Sequence, residues 1–300
     1  MSSKPSRTFV IIVNYDSAEL VQACVSSFTE DPLLRFVVID NASPSADQRA
    51  ALDALAQSEP RMTSIFSDQN LGFGGAVNTA VSASEASAQD RIWILNPDTE
   101  LCDGAEDSLR LALDRNPGSI ISPIIRYAHQ PSEVWFQGGT FDRQRGVTRH
   151  SIDPGATCTF LSGASLLMDV GTWDSLGGFR EDLFMYWEDA DLCGRAVAAN
   201  VPLVIAPEAE ILHHVGATTS TDGMKSLIWY RFMARNRLIV CADSVWRAID
   251  LTVGRGLIPT ARLFWRAIKE PGRTAPRFAG LLSGIREGFV AVSQWNPADS

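Results

Sequence analysis

Three acids fall within four positions in Glu188-Asp189-Ala190-Asp191, directly after the apolar and aromatic run Phe184-Met185-Tyr186-Trp187. Carboxyl groups pressed against aromatic rings lose water, and their proton affinity rises. A general base working near neutral pH needs that property. The same acids also suit a helix N-terminus, where they complement the dipole, and the stretch alone does not decide between the two. Upstream, Asp98 follows Asn96-Pro97. An Asp close to an Asn at a strand end offers oxygen donors to a hard cation such as Mg2+ or Mn2+, with positions left for a diphosphate. It would serve equally as a strand-end cap. His213 and His214 are adjacent. In a strand they point to opposite faces, so one could enter a site while the other stays outside.

The elements that must position these groups alternate in the first third. Thr8 to Val13 is a β-branched run that fits a strand buried on both faces, and Ser17 would cap a helix from about Ala18 to Phe28. Phe36 to Ile39, Thr63 to Phe66 and Arg91 to Leu95 are further strands, separated by helices over Asp47 to Ser58 and after Asn70-Leu71-Gly72-Phe73-Gly74-Gly75, the last carrying Asn78. This order predicts an α/β fold with a parallel, doubly wound sheet, whose ligands bind beyond the carboxyl ends of the strands. Asn14, Tyr15, Asp40, Asn70 and Asp98 all fall at such ends. Each has a plainer reading. Asp40-Asn41 is turn chemistry. The glycines lack dinucleotide spacing and could let a helix approach the sheet. From about Ser119 to Arg149 the chain reads as irregular strands and loops. Phe160 to Met168 is strand-like, with small residues around Gly163 that would admit a ligand or another backbone. A helical turn over Trp173 to Leu176, the helix begun at Glu188, a strand over Val201 to Ile205 and another ending at Ile211 to Gly216 follow.

Composition narrows the class. The 300 residues are 45% hydrophobic and 20% charged, as in an ordinary soluble enzyme with a large core. A net charge of −9 argues against general nucleic-acid binding. Five scattered cysteines show no metal-ligand spacing, and with no leader-like or membrane-spanning apolar run they predict free thiols in a cytoplasmic protein.

The ordered set Val10-Ile11-Ile12-Val13-Asn14-Tyr15, Val37-Val38-Ile39-Asp40-Asn41-Ala42-Ser43, Asn70 to Asn78, Leu95-Asn96-Pro97-Asp98, Gly177-Gly178-Phe179, Tyr186 to Leu192 and His213-His214 resembles the inverting family 2 glycosyltransferases of GT-A fold. It looks most like their bacterial rhamnosyltransferase-type members, which build cell-wall and surface polysaccharides. The resemblance covers roughly residues 8 to 240. It implies that Val13, Asn14, Tyr15 and Asp40 hold the nucleotide base and ribose, and that Asn70, Gly72 and Asn78 line the same pocket. Asn96-Pro97-Asp98 stands where the family has an Asp-x-Asp motif, so Asp98 would bind Mg2+ or Mn2+ at the sugar-nucleotide diphosphate; Asn96 removes one charge from that site. His213 or His214 would be a further ligand, His213 being favoured by its spacing to Gly216. Asp189 would be the base and Glu188 would orient or contact the acceptor. Trp187 offers an acceptor-stacking face, Gly163 lies on the acceptor side, and Arg235 in Arg235-Asn236 would either contact a phosphate or pack a helix. The implied reaction moves a sugar, best L-rhamnose from dTDP-rhamnose, to a hydroxyl of a glycan or polyprenyl-diphosphate-linked acceptor.

The expected organisation is a nucleotide-sugar-binding half over 1–127, an acceptor half over 128–220 and a helical extension over 221–300. From Ala242 on, the chain carries net charge +3, against −12 before it. Basic, aromatic-bearing segments such as Ala261 to Ile268 read as a peripheral membrane contact at the inner face of the plasma membrane, or as a helical cap or homo-oligomer interface. Two other classes remain. A nucleotidyltransferase would use similar acids, but Asn14-Tyr15-Asp16-Ser17 lacks its basic phosphate loop. A non-catalytic sugar-nucleotide-binding module would keep the pocket without the base.

Overall fold

A computed structural model describes residues 6–150, 157–215 and 225–294. The first third folds as its alternation predicts: β1 (Thr8–Asn14), α1 (Ala18–Ser26), β2 (Leu34–Asp40), α2 (Ala46–Ser58), β3 (Met62–Phe66), α3 (Gly72–Ala83) and β4 (Arg91–Leu95). These four strands are parallel in the order β3-β2-β1-β4. β1 is buried along its whole length. Ser17 precedes α1 but does not cap it; its hydroxyl turns back to Asn14 Oδ1 at 3.0 Å.

Beyond β4 the sheet becomes mixed. β5 (Thr99–Leu101), α4 (Ala105–Arg115), β6 (Ile120–Tyr127), β7 (Gln130–Phe136), β8 (Gly139–Asp142), β9 (Val147–His150), β10 (Ser165–Asp169), α5 (Val170–Leu176), α6 (Glu188–Ala198) and β11 (Leu203–His213) follow. The sheet continues from β4 through β10, β6 and β11 to β5, with β7 on β6. β10 is antiparallel to both neighbours. The stretch after Ser119 therefore forms strands joined as hairpins, with the β6–β7 register broken on either side of Arg126 and the β8–β9 register intact. The two strands expected between Val201 and the His213-His214 pair are one: β11 runs through Leu203–His213, its register shifting between Ala206 and Glu210. Small residues at the start of β10 serve packing, since Ser165 Oγ accepts the Trp93 indole N–H at 2.9 Å across the strand pair.

Four helices complete the chain: α7 (Leu227–Cys241), α8 (Val245–Val253), α9 (Leu257–Lys269) and α10 (Thr274–Gln294). Gly280, Gly284 and Gly288 repeat every fourth residue on α10 and face Leu227, Arg231 and Arg235 of α7 in the same order, so the two helices run parallel. A Cβ on Gly284 would lie 2.1 Å from Arg231 O, so the glycines set how closely the helices pack. Arg237, buried on α7, donates to the carbonyls of Gly146, Arg145, Leu251 and Gly256 and to Thr260 Oγ1. Burial lowers its pKa to about 10, and these acceptors compensate the charge. The buried core runs unbroken from Phe36 and Trp93 in the sheet to Leu238, Leu251 and Val292. Helices α7, α8 and α10 thus share one core cluster with the sheet.

Candidate active site

Parallel pairing carries the ends of β1, β2 and β4 to one edge, and register brings in the rest. Asn14 lies opposite Asp40 at the last rung of β1 and β2. Because β10 is antiparallel, with Ser165 opposite Leu95, Gly163 and Ala164 reach the same edge, where Asn96 N–H donates to Ala164 O at 3.0 Å. β11 meets β5 with His213 opposite Thr99, which sets His213 beside Asp98. The first turn of α6 completes the edge: Asp189 Oδ2 accepts the Gly163 N–H at 3.1 Å.

The two acids of α6 are held differently. Asp189 Oδ1 accepts the Ala190 N–H at 2.8 Å. Burial raises its proton affinity, while the amides of Gly163 and Ala190 and the nearby His150 oppose that rise. Glu188 Oε2 is buried with no hydrogen-bond partner. Burial, and then the charge of Asp189, push the Glu188 carboxyl up to about 8. Asp191, buried one turn on, is an ion-pair residue bound to Arg195 at 2.8 Å.

Asp98 and His213 are both buried, with Asp98 Oδ1 3.2 Å from His213 Nε2. That oxygen makes no hydrogen bond of regular geometry despite the short distance, and His213 Nδ1 has no partner either. A carboxylate oxygen with an unused lone pair beside an imidazole nitrogen fits a divalent cation. No third His, Cys, Asp or Glu among the described residues joins them, so most coordination positions would be left to ligand and water. His214 is on the other side of the strand, 2.6 Å from Glu100 Oε1 at the half-exposed surface. The structure thus brings the His213 imidazole, and not that of His214, to the Asp98 carboxylate, while the His214 N–H donates to Asp98 O at 2.8 Å; Gly216, the reference for the spacing, lies outside the described residues.

At the β1–β2 end of this edge, Asn14 Nδ2 donates to Asp40 Oδ1 at 2.8 Å, and Asp40 also accepts from Ser43 N–H and Ser43 Oγ. Both side chains are fully buried, so Asp40 sits in the wall beneath the edge. Val13 is buried and Tyr15 exposed beside them, while Asn96 is half-buried. Asn41, which sequence reasoning treated only as a turn residue, links this end to Asn70 Oδ1 at 3.1 Å and Gly72 O at 3.2 Å. Gly72 adopts φ +73°, and a Cβ there would lie 2.2 Å from Phe184 O. Its neighbour's amide, Phe73 N–H, donates to that carbonyl at 2.7 Å. Asn78 is a correction: its amide is spent within the protein, on Phe179 O at 2.8 Å, Glu181 Oε1 at 3.0 Å and Phe179 N–H at 3.0 Å. It faces the segment before α6, not a ligand pocket.

That segment is strained. Phe184, Tyr186 and Trp187 have φ of 62°, 66° and 75°, costly for side chains of this size, about 1–3 kcal/mol each. Buried Asn236 on α7 holds it by donating to Leu183 O, Met185 O and Tyr186 O at 2.7, 2.8 and 2.9 Å. Arg235 adds a bond to Asp182 O at 2.9 Å. Trp187 offers no stacking face: its left-handed backbone turns the indole inward, where it is buried against Phe141. Rings beside His213 come from residues the sequence did not single out. Trp135 lies 4.7 Å edge-on to His213 and 5.2 Å from His150, whose pKa is lowered by burial. Their meeting depends on β7 and β9 coming together, for which no local motif exists.

A curled, mainly parallel sheet with helices on both faces, acids at its carboxyl edge and helices packed at one end defines a glycosyltransferase of the GT-A fold. Solved structures of that fold superpose on nearly the whole chain: GalNAc-T7 with UDP, GalNAc and Mn2+ at TM-score 0.62 and 12% identity, covering 96% of this chain and 55% of that longer one. A mannosyltransferase from Pyrobaculum calidifontis, in complex with GDP-Man and Mn2+, matches at TM-score 0.58 and 16% identity over 97% and 86%. The glycosyl transferase family 2 model matches residues 9–194, and the chain belongs to that family. Its relatives include the N-acetylglucosaminyl-diphospho-decaprenol L-rhamnosyltransferase of Mycobacterium tuberculosis, 29% identical over 80% of this chain and 86% of that one. The low-salt glycan biosynthesis hexosyltransferase Agl10 of Haloferax volcanii is 25% identical over 92% and 90%.

Proposed function

We propose that this enzyme moves L-rhamnose from a nucleoside diphosphate, best dTDP, to a hydroxyl of a polyprenyl-diphosphate-linked glycan, in one displacement that inverts the anomeric centre. The observation that carries the reading is Asp189, a half-buried carboxylate oriented by Gly163 and Ala190 at the sheet edge that also holds Asp98 and His213. Asp189 takes the proton from the acceptor hydroxyl as its oxygen attacks the anomeric carbon. The C–O bond to the diphosphate breaks on the opposite face, and the nucleoside diphosphate leaves with the electron pair. One base suffices, because the leaving group needs no proton at neutral pH. Glu188, with its raised proton affinity, stays protonated beside Asp189 and donates to the acceptor side. Asp98 and His213 would hold Mg2+ or Mn2+, which neutralises the charge growing on the diphosphate when bound. The base and ribose lie over Val13, Tyr15 and Asn70, with Asp40 and Asn14 shaping the wall from beneath. The decaprenol-linked substrate in the name of the mycobacterial relative supports the acceptor class.

A peripheral membrane contact accompanies this reading. Trp246, Val253, Leu257, Ile258, Trp265 and Ile268 are exposed on α8 and α9, and Lys269 sits over Trp265 at 4.2 Å. Apolar faces flanked by cations fit an anionic bilayer surface, where a lipid-linked acceptor would be found. No helix of the described residues is long and apolar enough to cross a membrane. Thermal shift against a panel of sugar nucleotides with Mg2+ tests the donor, since a ligand of the native state raises apparent stability. The largest shift is expected from dTDP-rhamnose; an equal response to every nucleotide would remove the rhamnose assignment.

A further inference from the structure

A cavity of about 600 Å³ opens between α7, α10 and the strained segment before α6. Its polar wall is Arg231, Arg235 and Arg286, and its apolar wall includes Phe184 and Phe232, whose rings stack 5.2 Å apart. Glu287 lies between the arginines, 3.0 Å from Arg231 Nε and 4.0 Å from Arg235 Nε. Asp182, the other acid on the wall, is paired with a further arginine, Arg180, at 2.8 Å. Three guanidinium groups on the wall therefore meet two carboxylates, in a chain whose net charge is −9. The Arg235 pKa is lowered, first by burial and then, against the pull of Asp182 and Glu287, by the charges of Arg231 and Arg180. Mutually repelling, partly dehydrated cations are stabilised by an incoming anion.

We infer that this cavity seats the diphosphate of the acceptor's lipid carrier, with the first isoprene units against Phe184 and Phe232. Guanidinium forks match phosphate oxygens bidentately, and the volume suits a small anionic group with an apolar extension. Its lining includes none of the residues expected for the donor, and it shares a wall with the site through Phe184, four residues before Glu188. Val290, on the same wall, is exposed and adds apolar surface at the cavity. The inference takes the identity of the acceptor from the transferase reading; the cationic character of the cavity is independent of it. A nucleoside diphosphate shares the same chemistry, so the test must separate the two sources.

Farnesyl diphosphate, farnesol and dTDP are titrated calorimetrically into the full chain and into Arg286→Gln and Arg231→Gln. Arg286 is exposed, so its variant has little reason to misfold, and circular dichroism checks both. Expected are binding of farnesyl diphosphate to the wild type, a loss of about tenfold or more in each variant, weak binding of farnesol, and dTDP affinity unchanged throughout. No binding of farnesyl diphosphate to the wild type, unaltered affinity in both variants, or a loss confined to dTDP would each overturn the assignment, the last in favour of the donor. If no sugar nucleotide is turned over but the arginine dependence holds, the transferase reading fails and the anion site stands.

Discussion

Asp189 and Glu188 are adjacent acids made unlike by their partners. Asp189 accepts two backbone amides, whereas Glu188 Oε2 has none. A base acts only when ionised, and burial raises the proton affinity of Asp189. kcat/KM should therefore climb with pH through a range above the ordinary aspartate value of about 3.9; a pH–rate profile flat from about 4 upward would rule out Asp189 as the base. Glu188 gives a stability prediction with a definite sign. Its folded-state pKa of about 8 exceeds its unfolded value, so the native state binds more protons in between. Its contribution is present at acid pH and is lost as pH rises from the ordinary glutamate range through about 8. Glu188→Gln should raise Tm relative to the wild type at pH 8 and not at pH 4, as measured by calorimetry. The acids themselves were legible because type and spacing are local. His213 over His214 was favoured only through the spacing of the family resemblance, because its place beside Asp98 turns on the register of β11 with β5, which leaves no local pattern.

The strained segment before α6 is held by α7, and this is where sequence reading fell short. The first strands and helices were legible from β-branched runs and turn residues, since a buried parallel sheet imposes that pattern locally. The hairpins β7 to β9 carry too many exposed polar residues to show a clean alternation. In Arg235-Asn236 the sequence directed attention to the charged residue, yet Asn236 makes the three carbonyl bonds. Asn236→Ala leaves those buried carbonyls unpaired and should cost about 1–3 kcal/mol of stability. It should also lower kcat about a hundredfold with donor affinity retained, because the left-handed backbone that aims Asp189 relaxes. Unchanged kcat in a folded variant would show that the clamp does not position the base. Gly284→Val tests the α7–α10 packing directly: the added side chain collides with Arg231 O, and Tm should fall by several degrees.

At the scale of the whole molecule, charge and apolar surface are unevenly divided. The part before Ala242 carries −12 and the rest +3, and the exposed tryptophans Trp246 and Trp265 belong to the basic part. Composition revealed that asymmetry; that the helices share the core of the sheet, through Leu238 and Leu251, could not be read from it. Wild-type protein should sediment with phosphatidylglycerol vesicles far more than with phosphatidylcholine vesicles, and Trp246→Gln combined with Trp265→Gln should weaken this about tenfold. Protein that stays in the supernatant with both would refute the membrane contact. The central claim, a metal-assisted transferase with Asp189 as base, meets its most direct test in nucleoside diphosphate release from dTDP-rhamnose and Mg2+ on adding a polyprenyl-diphosphate-linked acceptor. The wild type should release it only with acceptor, and Asp189→Asn should bind the donor equally well while turning over at least about a thousandfold more slowly. Near-normal turnover by that variant would contradict the account.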